Sequence, residues 1–193
     1  MKIGILALQG AVQPHQEKLR ELGIDAPEVR RREDLAGVDG IILPGGESST
    51  MLKLLNINQM WDDFRSFVAE KPAWGICAGA ILLAKHVSNP EQESLGAIDM
   101  DVERNAYGRQ LDSFITDHMQ IDKAFPDGAG QEGVFIRAPR FTRLGPSVQT
   151  LITCRNDPVM VTSGHILASA FHPELSPGYR VHKYFAELVR QSV

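Results

Sequence analysis

The sequence predicts a three-layer α/β/α fold with a mostly parallel central sheet to which antiparallel strands are added. In the N-terminal half, short apolar runs alternate with amphipathic helical stretches, and this order places consecutive strands parallel with helices on both faces. From about Leu95 onward, strands separated by turns follow one another, which favours antiparallel additions to the sheet. The 193 residues, of which 43% are hydrophobic, suffice for one sizeable core, and we expect a single domain over 1–193.

The first half of the chain should contain four strands and four helices. Residues 3–8 form a nearly continuous apolar run, as expected of a strand covered on both faces. Pro14 is tolerated in the first turn of the next helix, and Gly23 ends it. The predicted strands are 3–8, 28–31, 38–43 and 73–76, and the predicted helices are 14–22, 48–55, 60–68 and 77–84.

The second half should be dominated by strands. Turn signals such as Asn156-Asp157-Pro158 and Ser163-Gly164 separate the last of them. The predicted strands are 98–103, 113–120, 133–137, 148–154, 159–163 and 166–171, and an amphipathic helix over 179–189 should close the chain.

Composition argues against several classes of function. The net charge is −4, and the nearest basic cluster, Arg30 to Arg32, runs directly into two acidic residues, so a nucleic-acid partner is not expected. No apolar run reaches the roughly 20 residues of a membrane helix, and the first run is too short for a signal peptide. The two cysteines give no disulfide framework, which favours the cytoplasm. Cys154 lies in a strand pattern and should be core, and no metal-ligand spacing is present.

The segment Gly75-Ile76-Cys77-Ala78-Gly79 has the pattern of a nucleophile elbow, with Cys77 as the turning residue. A strand that turns sharply into a helix leaves little room for side chains, and glycines on either side relieve the crowding. The turn sets the central side chain at a helix N-terminus, which favours the reactive thiolate. Alone, the pattern is equally compatible with a small buried cysteine in a tight turn.

A second candidate segment, Phe171-His172-Pro173-Glu174, follows the last predicted strand. Imidazole has the pKa of a base that acts near neutral pH, and a nearby carboxylate can orient it. Alone, such a segment is more often a surface turn. Because Cys77 should emerge at the same edge of the sheet, we expect Cys77, His172 and Glu174 to act as nucleophile, base and orienting group.

A third segment, Pro44-Gly45-Gly46-Glu47-Ser48, ends another buried strand. Adjacent glycines let backbone N–H groups approach a ligand closely, and acyl transfer passes through an oxyanion that needs such donors. The N–H groups of Gly46 and Ala78 are the expected pair. The alternatives are a flexible turn before a helix start at Ser48, or a phosphate loop, which the lack of a following Lys disfavours.

These three segments, in this order, resemble the class I (triad) glutamine amidotransferases, and among them the glutaminase subunits of pyridoxal 5'-phosphate synthase. The segments that carry the resemblance are LQGAV at 8–12, LPGGESST at 43–50, CAG at 77–79, VERN at 102–105, YGRQ at 107–110, SF at 113–114, GVFIRAP at 133–139 and FHPEL at 171–175. Ile76 and Ala80 depart from the family pattern, which has Thr and Leu there, and both are packing changes.

The resemblance implies a class I glutamine amidotransferase-like, flavodoxin-like fold. It also implies hydrolysis of glutamine to glutamate and ammonia through a glutamyl thioester, without a metal or organic cofactor. The residues it implies in glutamine binding are Gly46, Glu47, Ser48, Arg104, Ile136 and Arg137. A free amino acid carries a carboxylate and an ammonium, for which Arg104 with Arg137, and Glu47, are suitable partners. Arg109 could instead be structural or lie behind the site.

The resemblance implies a partner as well. Ammonia would pass to a synthase subunit, similar to a (β/α)8 barrel, that makes pyridoxal 5'-phosphate from ribose 5-phosphate and glyceraldehyde 3-phosphate. The expected complex has 12 + 12 subunits, and docking would complete the oxyanion hole by a switch at the Gly45-Gly46 peptide. Two alternatives stay open: a glutaminase of another synthase, such as an imidazole-glycerol-phosphate type, and a non-catalytic binding or sensor protein in which Cys77 is redox-active or structural.

Overall fold

The computed structural model describes residues 1–106, 113–125 and 131–192. The strands within these ranges are β1 (Ile3–Leu6), β2 (Glu28–Val29), β3 (Gly40–Leu43), β4 (Ala73–Ile76), β5 (Ala84–Ser88), β6 (Ile98–Glu103), β7 (Ser113–Thr116), β8 (Gln120–Ile121), β9 (Gly133–Ile136), β10 (Arg140–Leu144), β11 (Gln149–Cys154), β12 (Asp157–Ser163) and β13 (Ile166–Ser169). The α-helices are α1 (Val12–Glu21), α2 (Ser48–Ile57), α3 (Trp61–Glu70), α4 (Ala78–Leu83) and α5 (Arg180–Ser192), with short 3-10 helices at Arg32–Gly37 and Pro173–Leu175.

The central sheet has the strand order β2-β1-β3-β4-β13-β12-β11-β8. The pairings from β2 to β13 are all parallel, and those from β13 to β8 are antiparallel. Strands β1, β3, β4 and β13 are buried at every position, as expected where helices cover both faces. The prediction of a mostly parallel sheet with antiparallel additions is confirmed.

Two neighbouring residues of β4 show how the layers are built. Trp74 packs its ring against His182 and Phe185 of α5, whereas a Cβ on Gly75 would lie 2.5 Å from the carbonyl of Gly79 in α4. Successive residues of a strand point to opposite faces of its sheet. Helix α5 therefore covers one face of the sheet and α4 covers the other.

A single strand was predicted over 113–120, and this prediction is wrong. The segment is divided into β7, which pairs with β9, and β8, which lies at the edge of the central sheet. The hydroxyl of Thr116 accepts a hydrogen bond from the N–H of His118 at 3.1 Å, and this local bond turns the chain between the two strands.

The second half also adds less to the central sheet than predicted. Strands β5, β6 and β10 form a separate three-stranded sheet, and β7 with β9 forms a two-stranded one. Strands β5 and β10 were not predicted, and the predicted helix over 77–84 is shorter, because Ala84 already begins β5. Several other predicted strands extend one or two residues beyond the observed ends, for example 3–8 against Ile3–Leu6.

Three smaller predictions can be placed on this fold. Cys154 is buried in β11, which confirms it as a core residue. Across 1–106, 113–125 and 131–192, no helix is long and apolar enough to span a bilayer. The segment at 107–110, with Arg109, lies outside the described residues.

Candidate active site

Three loops meet at one edge of the central sheet. Strands β3, β4 and β13 are adjacent and parallel, so the segments that follow their carboxyl ends bring Gly46, Cys77 and His172 together. A cavity of about 370 Å³ opens between these loops. All ten predicted site residues line it: Gly46, Glu47, Ser48, Cys77, Ala78, Arg104, Ile136, Arg137, His172 and Glu174.

Cys77 occupies the turn between β4 and α4 in a strained backbone conformation, with φ 49° and ψ −101°. The turn is held by a hydrogen bond of 2.8 Å from its N–H to the Ser169 carbonyl. A Cβ on Gly79 would lie 2.1 Å from the carbonyl oxygen of Leu43, and a Cβ on Gly75 would meet the Gly79 backbone. The two glycines thus allow β3, β4 and α4 to pack closely enough to impose the strained turn.

The Cys77 side chain is nearly buried, with 7% of its surface exposed. Its Sγ lies 3.9 Å from the carbonyl oxygen of Ile136, at the end of β9. The Ile136 backbone therefore faces the sulfur, while the side chain of Ile136 is exposed.

His172 and Glu174 form a buried hydrogen-bonded pair. His172 Nδ1 lies 2.7 Å from Glu174 Oε1, and the side chains retain little exposure to solvent. Burial disfavours the imidazolium, but hydrogen bonds and charge interactions with Cys77 and Glu174 outweigh it and raise the pKa of His172 to about 10. Burial also opposes the Glu174 carboxylate, yet the bond from His172 holds the pKa of Glu174 below its ordinary value. His172 is consequently a proton donor at neutral pH.

The two glycines after β3 have a role that the sequence did not indicate. A Cβ on Gly45 would lie 2.3 Å from Cε1 of His172, and a Cβ on Gly46 would lie 2.4 Å from Oε1 of Gln9. The same Gln9 oxygen accepts the N–H of Glu47 at 2.9 Å. The glycines therefore make room for the imidazole and for the Gln9 amide, in addition to any ligand they admit.

An ion pair crosses the cavity lining. Arg104 donates to Glu47 Oε1 at 2.9 Å, and the Arg104 side chain is only 14% exposed. Ser48 is buried, and its hydroxyl donates to Gln92 Oε1 at 2.9 Å, so this hydroxyl already has a partner. Arg137 also lines the cavity, and its side chain is exposed.

Three residues of the cavity lining have a strained backbone. Cys77, Asn105 and Arg137 have φ values of 49°, 54° and 44°, in the left-handed region that residues other than glycine rarely adopt. Such strain persists where the surrounding packing enforces it, and it clusters at functional sites. Asn105 was not predicted as a site residue, and neither was Gln9, although Gln9 follows the first buried strand at this same edge of the sheet.

The donor set does not resemble a metal centre. Within the described part of the chain, no three His, Cys, Asp or Glu residues are grouped so that they could hold a metal ion. The cavity instead contains the Cys77 sulfur at the N-terminus of α4 and the protonated imidazole of His172. The oppositely charged side chains of Arg104 and Glu47 lie in the same lining.

Comparisons with known proteins agree with this geometry. The sequence matches the model of the SNO glutamine amidotransferase family over residues 5–191. It is 48% identical over 190 residues to pyridoxal 5'-phosphate synthase subunit PdxT of Koribacter versatilis, covering 98% of this chain and 96% of that protein. The PdxT of Deinococcus radiodurans is 47% identical over 196 residues, with 97% of each chain covered.

A solved structure described as a glutamine amidotransferase superimposes with a TM-score of 0.90 at 46% identity, covering 98% of this chain and all of the other. This likeness confirms the class I glutamine amidotransferase-like fold that the sequence predicts. Since the family match extends over nearly the whole chain, the protein belongs to the SNO glutamine amidotransferase family.

Proposed function

We propose that the protein is a glutaminase that hydrolyses L-glutamine to L-glutamate and ammonia. The observation that carries the proposal is the arrangement of Cys77, His172 and Glu174 in one cavity, with His172 hydrogen-bonded to Glu174 at 2.7 Å. Nucleophile, base and orienting carboxylate in this order form the triad of covalent acyl-transfer catalysis. The membership of the glutamine amidotransferase family supports glutamine as the amide.

The reaction begins when the sulfur of Cys77 attacks the side-chain amide carbon of glutamine. The negative charge that develops on the amide oxygen is stabilised by the N–H groups of Gly46 and Ala78. His172, protonated at neutral pH, donates its proton to the departing nitrogen, which leaves as ammonia. A glutamyl thioester and a neutral imidazole remain.

The second half of the reaction uses that neutral imidazole as a base. His172 takes a proton from water, the hydroxide attacks the thioester carbon, and the C–S bond breaks to give glutamate and the thiolate of Cys77. Glu174 keeps the imidazole in place through both halves and stabilises its charged form. These steps are complete without a metal or an organic cofactor.

Recognition of glutamine uses the charges along the cavity. Arg104, with Arg137, binds the α-carboxylate, and Glu47 binds the α-ammonium, so that the substrate is inserted between the partners of the Glu47–Arg104 pair. Ser48 and Ile136 complete the contacts. A cavity of about 370 Å³ has a volume suited to a free amino acid.

The ammonia goes to a synthase subunit that makes pyridoxal 5'-phosphate, which would be the product of the complex. Support comes from the relatives, which are named as subunits of pyridoxal 5'-phosphate synthase. A 12 + 12 assembly, and completion of the oxyanion hole at the Gly45-Gly46 peptide on docking, are parts of the same proposal. The two unpaired cysteines suggest that the complex works in the cytoplasm.

Glutamine hydrolysis measured with and without candidate synthases tests the proposal. We expect a pyridoxal 5'-phosphate synthase subunit to stimulate ammonia release and an imidazole-glycerol-phosphate synthase not to do so. If only the imidazole-glycerol-phosphate synthase stimulates ammonia release, the proposed pyridoxal 5'-phosphate synthase partner is wrong.

A glutamine-analogue alkylator tests the nucleophile in the same complex. It should label Cys77, which lines the cavity, and leave Cys154, which lies in β11 away from the cavity lining. If Cys77 is not labelled and Cys77→Ala still releases ammonia, the protein is not a glutaminase of this mechanism.

A further inference from the structure

Two buried histidines that the mechanism does not use lie directly behind Glu174. His15 of α1 and His182 of α5 are both fully buried, and His15 Nδ1 lies 2.9 Å from His182 Nε2. On its other side, His15 Nε2 lies 3.7 Å from Glu174 Oε2, which is the carboxylate oxygen that does not bond to His172. A continuous line of side chains thus runs from His172 through Glu174 and His15 to His182.

The contact between the two histidine rings requires one donor and one acceptor, so one proton lies between them. Both rings are neutral, because burial lowers the pKa of each to about 3. If His182 Nε2 donates, His15 carries its proton on Nε2 and presents an N–H to the carboxylate. If His15 Nδ1 donates, the lone pair of its Nε2 faces the negative charge of Glu174. Electrostatics therefore favours the first arrangement.

The two atoms that face each other have no other partner. His15 Nε2 and Glu174 Oε2 are both buried and without a hydrogen bond among the residues that the structure describes. Their separation of 3.7 Å exceeds a hydrogen bond, but an unpaired carboxylate oxygen inside a protein is costly. A slight rotation of either side chain brings the N–H into bonding range.

The surroundings hold His15 in place. The Trp74 ring packs nearly perpendicular to both imidazoles, with its centroid 5.8 Å from that of His15 and 4.9 Å from that of His182. The charged groups that face the two rings are Glu174, His172 and, beside His182, Lys18. The ammonium of Lys18 is bonded to the carbonyls of Ser176 and Gly178.

We propose that His15 is a positioning residue of the glutaminase reaction, donating from Nε2 to Glu174 Oε2 and so keeping the carboxylate aligned with His172. His182 acts one step further back, since its Nε2–H bonds to His15 Nδ1 and selects the His15 tautomer. This role of His15 rests on the proposed function, because it supports the triad of Cys77, His172 and Glu174. Such outer partners of catalytic groups orient them and set their basicity.

Nitrogen NMR of the isolated chain tests the tautomer without any need for catalysis. We expect His15 to be protonated on Nε2 and unprotonated on Nδ1 at neutral pH. A His15 ring protonated on Nδ1 would overturn the proposal. This result is obtained even if the protein hydrolyses no glutamine, so that failure of the proposed function is recognised separately, by a wild-type complex that releases no ammonia.

Kinetics of the chain with its synthase partner test the positioning role. His15→Leu removes the donor, and we expect kcat for glutamine hydrolysis to fall about 10- to 100-fold with KM nearly unchanged. The acid limb of the pH profile should move to higher pH, because Glu174 loses a donor that stabilises its charged form. His15→Gln, whose amide can place an N–H near the Nε2 position, should restore most of the rate and the acid limb.

A matched control separates positioning from loss of packing. Phe185→Leu alters the same core, where Phe185 packs on Trp74, but keeps the imidazole of His15, and it should leave kcat and the pH profile unchanged. The proposal is wrong if His15→Leu keeps the wild-type kcat and acid limb. It is equally wrong if His15→Gln is no better than His15→Leu.

Discussion

Arg104 donates a hydrogen bond to Glu47 across the lining of the catalytic cavity, at 2.9 Å. The Arg104 side chain is only 14% exposed, whereas that of Glu47 is 46% exposed. Paired beside Cys77, they present a cation and an anion at the spacing of a hydrogen bond. An amino acid has a carboxylate and an ammonium on its α-carbon. When it binds, the Arg104–Glu47 pair can be replaced by one pair between Arg104 and the carboxylate and another between Glu47 and the ammonium.

The pair leads to a prediction about substrate affinity. Arg104→Gln removes the cation, and because hydrogen bonds to charged groups contribute about 1.5–3 kcal/mol, KM for glutamine should rise roughly 10- to 100-fold. We expect kcat to change little, since Arg104 binds the α-carboxylate in the proposed mechanism and takes no part in the proton transfers. Steady-state kinetics of the complex measure both constants. Arg190→Gln, which breaks the exposed pair with Glu187, is the control, and a fall in kcat at constant KM would contradict the assignment.

The glycines around Cys77 lead to a prediction about stability. Gly79→Ala would place a Cβ 2.1 Å from the Leu43 carbonyl, a backbone atom that cannot move aside cheaply. We expect the free energy of unfolding to fall by about 1–3 kcal/mol or more, as in overpacked cores, together with a loss of activity. Urea denaturation gives the change.

Gly37→Ala is the matched control for that substitution. A Cβ at Gly37 would meet nothing within 4 Å, and its φ lies outside the left-handed region. Its stability should stay within about 0.5 kcal/mol of wild type. Equal effects of the two substitutions would mean that the close approach of α4 to β3 does not constrain the turn.

The strand that leads into Cys77 was predictable to the residue. Strand β4 matches the predicted range of 73–76 because a short apolar run, preceded by Pro72 and followed by the elbow pattern, admits few other structures. The ten predicted site residues meet in one cavity for a related reason. They follow strand ends, and parallel strands bring their carboxyl ends to one edge.

Other features depend on partners that are distant in sequence. Strand β5 continues directly from α4, so its residues extend a helical pattern, and only pairing with β6 makes them a strand. Strand β10 contains two arginines, and Arg143 is neutralised by Asp99 and Asp101 of β6. The sequence shows no sign of a role for His15, because its position behind Glu174 arises only when α1 packs against the sheet. Local patterns carry no information about such contacts.

The buried His182 should make the protein sensitive to acid. Burial lowers the pKa of His182 to about 3, so the unfolded chain binds a proton near pH 6.5 that the folded chain refuses. This contribution to stability is complete above pH 6.5 and is lost as the pH falls toward 3. His182→Leu should flatten the decline in unfolding free energy by up to about 1.4 kcal/mol per pH unit.

Urea denaturation between pH 7 and 4 measures that slope. His118→Gln is the control, because the His118 side chain is 93% exposed and its ring remains in water on folding. If the unfolding free energy of His182→Leu declines with falling pH as steeply as that of wild type, His182 is not held neutral in the folded protein.

His172 should produce the opposite dependence on the alkaline side. Its pKa is raised to about 10, so the folded chain keeps a proton that the unfolded chain releases near pH 6.5. The resulting stabilisation is fully present below pH 6.5 and is lost as the pH rises through 10. Glu174→Gln removes one of the groups that raise this pKa, so the unfolding free energy should decline less between pH 7 and 10 than in wild type.

NMR titration of the His172 ring measures the same change directly. In Glu174→Gln its titration should move to lower pH, and Cys77→Ala should shift it in the same direction, because the interaction with Cys77 also raises this pKa. Glu187→Gln removes an exposed carboxylate that pairs with Arg190 and should leave the titration unchanged. A His172 that titrates near pH 6.5 in wild type would show that the imidazolium is not stabilised by the two groups, and His172 could not then be the resting proton donor.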